Sequence, residues 1–183
     1  MLASTPTTSN LIEFTRENAF TNNAGPTVSG SPQAFENVTK PESAITFTLI
    51  NVETDPDRTA AELDLWAEAY RAVRDDGRGE DDVILLGDLA SDDQHLGQLG
   101  KLLGVTALLS GMPTTTRGTH LLDNILLDRR ATSEFTGRVE VLDMMREFEL
   151  TMPGASEVSE HLPVWAEFSA YEGGQAGHPA TAN

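Results

Sequence analysis

The order of apolar and polar residues between positions 44 and 171 follows two alternating periods. Residues 45–52 form a run rich in β-branched and apolar side chains, which is typical of a buried strand. Apolar residues then recur at helical spacing, and Thr59 and Glu62 stand at the spacing of a capping box at the start of this helix. Residues 82–86 are a short continuous apolar run, as in a strand buried on both faces. We therefore predict a β-α-β unit with two parallel strands and a right-handed crossover.

The rest of this region continues the alternation of strand and helix. Residues 94–103 predict a short helix that is weakened by two internal glycines, and residues 119–127 predict a strand. Residues 139–150 fit either a strand end or a helix, and residues 164–168 fit a last strand. The predicted fold class is α/β, with one domain at residues 44–171.

The two ends of the chain have a different composition. Residues 1–43 are dominated by Thr, Ser, Asn, Pro and Gly, and can bury too little apolar surface to offset the entropy lost on ordering. We expect this segment to be mostly disordered or loosely attached. Residues 172–183 have no apolar pattern and predict a disordered tail.

Composition and charge narrow the functional classes. The chain has no cysteine, which excludes disulfides, thiolate zinc sites and a cysteine nucleophile. The sequence shows neither an apolar run of membrane-spanning length nor a signal peptide, so we expect a soluble cytoplasmic protein with no membrane partner. The formal net charge of -17 opposes a polyanion, and broad DNA binding is therefore unexpected.

Polar side chains at strand ends are the candidates for chemistry. Asp88 follows a buried strand directly, where its carboxylate could bind Mg²⁺, orient a water or cap a helix beginning near Asp92. Asp123 interrupts an apolar strand, which is costly unless the carboxylate has a partner. His161 is the natural partner, because a buried Asp that orients a His is a common arrangement for general acid-base work.

Other polar groups have simpler interpretations. The acidic runs at residues 80–82 and 91–93 lack the alternating spacing of a calcium loop and are interpreted as solvated turns and helix starts. His95, His120 and His178 are expected to be exposed rather than to bind a ligand.

Four motifs, in this order along the chain, resemble the endonuclease/exonuclease/phosphatase superfamily, the fold of pancreatic deoxyribonuclease. Its bacterial members have strands and turns reading Asn-Val-His-Thr-Asp-Pro, Gly-Asp-x-Asn, Tyr-Asp-Asn-Ile and Ser-Asp-His-Leu-Pro-Val-Trp. The matching segments here are 51–56, 87–90, 122–125 and 159–165. The resemblance implies a partial two-layer α/β sandwich of the deoxyribonuclease-like type, with the C-terminal half retained.

The resemblance also implies roles for individual residues. Asp88 would activate or orient the attacking water, and His161 with Asp123 would stabilise the phosphoryl group. Three other catalytic positions are substituted. Glu53 replaces a His and sets negative charge against a phosphate, and Ala90 replaces an Asn and has no side-chain donor. Glu160 replaces an Asp and could ligate metal, but its extra methylene would misplace a ligand.

The first half of the family's domain has no counterpart in the sequence. A full domain has roughly 250 residues and two packed sheets, whereas 44 residues precede Ile45 here. We therefore expect an N-terminally truncated domain. Glu13 or Glu17 could replace the missing metal ligand, although a solvated acid is the expected role of each. An uncovered sheet face would be apolar and would favour self-association.

These features predict a divergent member of the metal-dependent phosphoesterase family that is catalytically impaired or vestigial. The alternative is an active phosphodiesterase or phosphatase that uses Asp88 and His161 with Mg²⁺ or Mn²⁺ on a phosphate ester. In either case the motifs indicate the scaffold more firmly than the reaction.

Overall fold

The computed structural model describes residues 45–170, which lie within the predicted domain at 44–171. The predicted N-terminal segment and C-terminal tail lie outside the described residues, as do Glu13, Glu17 and His178. Within residues 45–170, no helix is long and apolar enough to cross a membrane.

The predicted β-α-β unit is present. Strand β1 (Thr48–Glu53) and strand β2 (Val83–Asp88) pair in parallel, and helix α1 (Thr59–Arg74) connects them. The register places Glu53 beside Asp88, so both strands end at the same edge of the sheet. This pairing brings the end of the first predicted motif next to the second.

The remaining strands complete two sheets. Strand β2 pairs antiparallel with β4, which pairs antiparallel with the short edge strand β3, giving the order β1-β2-β4-β3. A two-stranded antiparallel sheet contains β5 and β6, with two short helices between them in sequence. The bounds are β3 (Val105–Ala107), β4 (Asp123–Asp128), β5 (Phe135–Val141), α2 (Met144–Glu147), α3 (Met152–Val158) and β6 (Val164–Phe168). The fold class is therefore α/β, with sheets of four and two strands.

Helix α1 covers one face of the four-stranded sheet. Its buried residues Leu63, Ala67 and Tyr70 pack in one apolar cluster with Leu85 of β2 and Leu126 of β4. Burial of such side chains is the main favourable term in folding, at roughly 25 cal/mol per Å² of apolar surface. The helical spacing seen in the sequence is therefore the face that holds α1 on the sheet.

The two-stranded sheet covers part of the opposite face. Ile84, Ile125 and Leu127 of the four-stranded sheet contact apolar residues that include Phe135 and Phe168. These two phenylalanine rings lie 5.7 Å apart between centroids. The expected uncovered apolar face is thus partly covered by β5 and β6, whose own apolar residues are only half-buried.

Two local predictions were wrong. Residues 94–103 contain only a short 3-10 helix (Leu99–Lys101), and Gly97 has a positive φ of 57° that an α-helix does not accommodate. The capping box is not formed, because Glu62 Oε2 accepts a hydrogen bond from the Asp55 amide at 2.9 Å rather than from the cap residue. The Asp55 amide, in the loop before the helix, thus donates to the Glu62 carboxylate in place of the amide of the predicted cap residue.

Candidate functional site

Three candidate site residues predicted from the sequence lie close together at one edge of the four-stranded sheet. Asp88 is the last residue of β2 and Asp123 is the first residue of β4, and the antiparallel register places them opposite each other. His161 lies before β6 and is joined by an isolated β-bridge to Thr115 in the loop before β4. Three segments that are distant in sequence therefore build one site.

The His161 imidazole lies between the two carboxylates. Its Nδ1 is 2.8 Å from Asp123 Oδ2, a hydrogen-bond distance, and its Nε2 is 3.8 Å from Asp88 Oδ2. The hydrogen bond to Asp123 favours a proton on Nδ1 and turns Nε2 toward Asp88. The pairing of Asp123 with His161 expected from the sequence is formed.

Thr114 holds this pair in place. Its buried hydroxyl donates to Asp123 Oδ2 at 2.6 Å and accepts hydrogen bonds from the Leu122 and Asp123 amides at 3.0 Å each. Its carbonyl oxygen accepts a hydrogen bond from the Leu162 amide at 2.7 Å, next to His161. One threonine thus fixes the Asp and the segment that carries the His. Thr114 could not be predicted from the sequence, because three consecutive threonines in a loop carry no signal that singles out one of them.

Asn124 fixes the loop that follows β3. Its buried side chain accepts a hydrogen bond from the Leu109 amide and donates one to the Leu109 carbonyl, each at 3.0 Å. Its role was also missed, although a polar pair in an apolar strand was the available signal. The first residue of that pair lies in the site, and the second positions the loop that leads to Thr114.

Asp88 is positioned by a glycine and a tight turn. Gly87 has a φ of 136°, and a Cβ there would lie 1.9 Å from the Val52 carbonyl oxygen, so only glycine permits this approach of β1. Asp88 Oδ1 accepts a hydrogen bond from the Ala90 amide at 2.8 Å. No helix begins near Asp92 within residues 45–170, so the carboxylate stabilises the turn rather than capping a helix.

The three substituted positions differ in their location and exposure around the site. Glu53 is exposed at the end of β1, in register with Asp88. Ala90 lies in the turn after Asp88 with a positive φ of 47°. Glu160 is exposed, and its carbonyl oxygen accepts a hydrogen bond from the Thr116 amide at 2.8 Å. Among the described residues, the group of close metal-ligand atoms at this edge does not include Glu160.

The electrostatics of Asp123 combine opposing effects. Burial raises its pKa, the hydrogen bonds from Thr114 and His161 lower it, and the nearby Asp88 carboxylate raises it, with a net increase. Burial penalises the ionised form, whereas the two donors stabilise it. Asp123 is therefore suited to orient and polarise His161, while the more accessible Asp88 can accept a proton from water.

A divalent cation fits the residues of this site. Asp88, Asp123 and His161 each offer one ligand atom, and these atoms lie within 4.8 Å of one another. Such a mixed oxygen and nitrogen set suits Mn²⁺ or Zn²⁺ as well as Mg²⁺, so the donors do not select Mg²⁺. His95 and His120 are exposed, as expected, and His95 pairs with Asp92 at 2.6 Å.

Comparison with known proteins adds no family to this description. A scan of the chain against models of protein families gives no match, and a search of curated proteins gives none either. The functional interpretation consequently depends on the motifs and on the geometry of Asp88, Asp123 and His161.

Proposed function

We propose that this protein is a divergent member of the metal-dependent phosphoesterase family, with a partial deoxyribonuclease-like sandwich and impaired catalysis. The observation that supports the proposal is the Asp88-His161-Asp123 arrangement, in which the imidazole lies 2.8 Å from one carboxylate and 3.8 Å from the other. Residues that orient a proton-transfer group are retained, whereas the positions expected to contact a phosphate are changed.

The retained residues have clear roles in phosphoester hydrolysis. Asp88 would orient the attacking water and accept its proton, and His161 would donate from Nε2 to a phosphoryl oxygen. Asp123 and Thr114 would hold the imidazole in that orientation. If a divalent cation is bound, the carboxylates of Asp88 and Asp123 would hold it, with Glu160 as a further candidate ligand, and it would neutralise charge on the phosphate oxygens.

The substitutions account for the impairment. Glu53 stands beside Asp88 across a strand spacing of about 4.8 Å, so a second negative charge faces any bound phosphate. Ala90 provides no side-chain donor where the resembling family has an amide. Loss of one donor that stabilises developing charge costs roughly 10² to 10³ in rate, and both substitutions remove such a donor.

The test is hydrolysis of an activated phosphodiester, bis-p-nitrophenyl phosphate, with Mg²⁺ or Mn²⁺. We expect the unmodified chain to hydrolyse the substrate no faster than the metal-containing buffer alone. The triple variant Glu53→His, Ala90→Asn, Glu160→Asp should increase the hydrolysis rate at least about 10²-fold, which is the effect of one restored donor. Addition of His161→Ala to the triple variant is the matched control and should remove the gain. An inert triple variant with a native circular dichroism spectrum would show that these substitutions do not account for the impairment.

A second candidate is an active phosphodiesterase or phosphatase. The observation that favours it is the intact hydrogen-bond chain from Thr114 through Asp123 to His161. It requires metal-dependent turnover by the unmodified chain that is abolished by Asp88→Ala and by His161→Ala. Such turnover would replace the proposal of impaired catalysis.

A further inference from the structure

A second group of carboxylates lies at the opposite end of β2 from Asp88. Glu80, Asp81 and Asp82 directly precede the strand, and each offers one oxygen within 4.8 Å of the others. The interpretation of this run as a solvated turn is wrong for Asp82, which is only 1% exposed. A buried acid at a strand start requires a partner for its carboxylate.

Among the described residues, one oxygen of the Asp82 carboxylate lacks such a partner. Its Oδ1 is buried and makes no hydrogen bond. The backbone around it is fixed, because its amide donates to Glu80 Oε1 at 3.0 Å and its carbonyl oxygen accepts a hydrogen bond from the Thr48 amide at 2.8 Å. The backbone that carries this side chain is therefore held by hydrogen bonds on both sides of the residue.

A second unsatisfied oxygen lies nearby, on a different segment. Thr132, in the turn between β4 and β5, is 1% exposed, and its Oγ1 also has no hydrogen-bond partner. This hydroxyl is close enough to Asp82 to lower the pKa of the carboxyl, although the two groups do not reach hydrogen-bond geometry. Two buried oxygens without a hydrogen bond thus lie on neighbouring residues, and native proteins satisfy such groups with few exceptions.

The charges around Asp82 have one sign. Burial is the largest cause that raises the pKa of Asp82 to about 7, and the carboxylates of Glu134, Glu80 and Asp81 contribute to this increase, whereas Thr132 opposes it. A proton on Asp82 would remove only one of these negative charges. A divalent cation would offset two of these negative charges and would also coordinate the unpartnered oxygens. It would therefore account for both the excess of negative charge and the missing hydrogen bonds.

We propose that Glu80, Asp81, Asp82 and Thr132 form a binding site for a hard divalent cation, with Ca²⁺ as the best fit. All four donors are oxygens, and Ca²⁺ accepts six to eight such ligands in flexible geometry, with water completing the shell. The cation would tie the turn before β2 to the turn after β4. It is a structural site at the end of the sheet away from Asp88, and it is independent of any phosphoesterase activity.

The experiment is calorimetric titration of the full chain, stripped of metal with a chelator, with CaCl₂ and separately with MgCl₂. The weakest calcium modules have a Kd of about 10⁻³ M, so the titration extends to about 10 mM. We expect Ca²⁺ to bind more tightly than Mg²⁺, and Asp82→Asn to weaken Ca²⁺ binding at least tenfold. The matched control is Glu68→Gln, which removes one negative charge from the exposed face of α1 and should leave the affinity unchanged.

Two further variants separate coordination from folding and from the Asp88 site. Thr132→Ser keeps the hydroxyl and should retain Ca²⁺ binding, whereas Thr132→Val should lower the Ca²⁺ affinity about tenfold. This pair tests the proposal even if Asp82→Asn does not fold. Asp88→Asn should leave this Ca²⁺ affinity within a factor of two. Absence of Ca²⁺ binding, or equal loss in Asp82→Asn and Glu68→Gln, would overturn the proposal.

Discussion

Ala90 adopts a left-handed backbone conformation, with φ of 47°, in the turn after Asp88. This region costs an L-residue with a Cβ about 1 to 2 kcal/mol, whereas glycine enters it freely and asparagine tolerates it. We therefore expect Ala90→Gly and Ala90→Asn each to raise the free energy of unfolding by about 0.5 to 1 kcal/mol, measured by urea denaturation.

Ala131 provides the matched control for this prediction. It is also partly buried in a turn, but its φ is not positive. Ala131→Gly should lower the free energy of unfolding or leave it unchanged, because glycine gains freedom in the unfolded chain. Similar destabilisation by glycine at both positions would mean that the backbone at Ala90 is not strained.

Thr114 makes a stronger prediction about the site itself. Thr114→Val keeps the shape but leaves the Leu122 and Asp123 amides without their acceptor and removes a donor from the Asp123 carboxylate. Leaving buried polar groups unsatisfied costs about 1 to 3 kcal/mol each, so we expect a loss of at least about 2 kcal/mol in unfolding free energy. Thr114→Ser retains the hydroxyl and should lose less than half as much. Equal losses in the two variants would assign the effect to the methyl group.

Residue identities alone identified part of this site. Asp88, Asp123 and His161 stood out because a charged residue at a strand end or inside an apolar run is costly unless it is used or paired. Thr114 could not be identified in this way. Its importance arises because the loop before β4 folds back toward that strand. One hydroxyl thereby makes hydrogen bonds with the Leu122 amide, the Asp123 amide and the Asp123 carboxylate.

Helix α1 is anchored to the sheet by a buried tyrosine. The Tyr70 hydroxyl donates to the Val83 carbonyl oxygen at 3.0 Å, and burial is the main cause that raises its pKa to about 12. The unfolded chain has a tyrosine pKa near 10. Above that pH the unfolded state loses its proton first, so the stabilisation present below about pH 10 is lost as the pH rises toward 12.

The raised pKa of Tyr70 predicts that the free energy of unfolding depends on pH in the alkaline range. Between about pH 9 and about pH 11, the free energy of unfolding should fall by about 1.4 kcal/mol from Tyr70 alone. Tyr70→Phe should cost about 1 kcal/mol at the lower pH, since it removes one hydrogen bond, and should remove that part of the fall. Urea denaturation at both pH values checks this expectation. An identical fall in wild type and Tyr70→Phe would show that Tyr70 is not its source.

At the scale of elements, length and periodicity determined which predictions succeeded. Strands β1, β2 and β6 and helix α1 lie within or close to the predicted segments, because each has a run of apolar residues at a clear period. The three-residue strand β3 and the helix α3 were not predicted. Strand β3 is too short for a period and is defined by its pairing with β4.

The net charge governs a prediction for the whole molecule. With a formal charge of -17, the folded chain repels itself over distances that low salt does not screen. The screening length falls from about 30 Å at 0.01 M salt to about 8 Å at 0.15 M. We expect the Tm measured by differential scanning fluorimetry to rise by a few degrees over this range of NaCl, about 1 kcal/mol of stabilisation. An unchanged or lower Tm would contradict self-repulsion as a major term.

The sequence by itself determined the α/β class, the β-α-β unit and three residues of the candidate site, because these follow from local periodicity and from the cost of burying charge. The tertiary structure alone decided the roles of Thr114, Asp82 and Ala90. It brings the hydroxyl of Thr114 to Asp123, buries Asp82 beside Thr132, and bends the turn at Ala90 into the left-handed region. Each depends on segments that meet only after folding, and no period or spacing along the chain records such a contact.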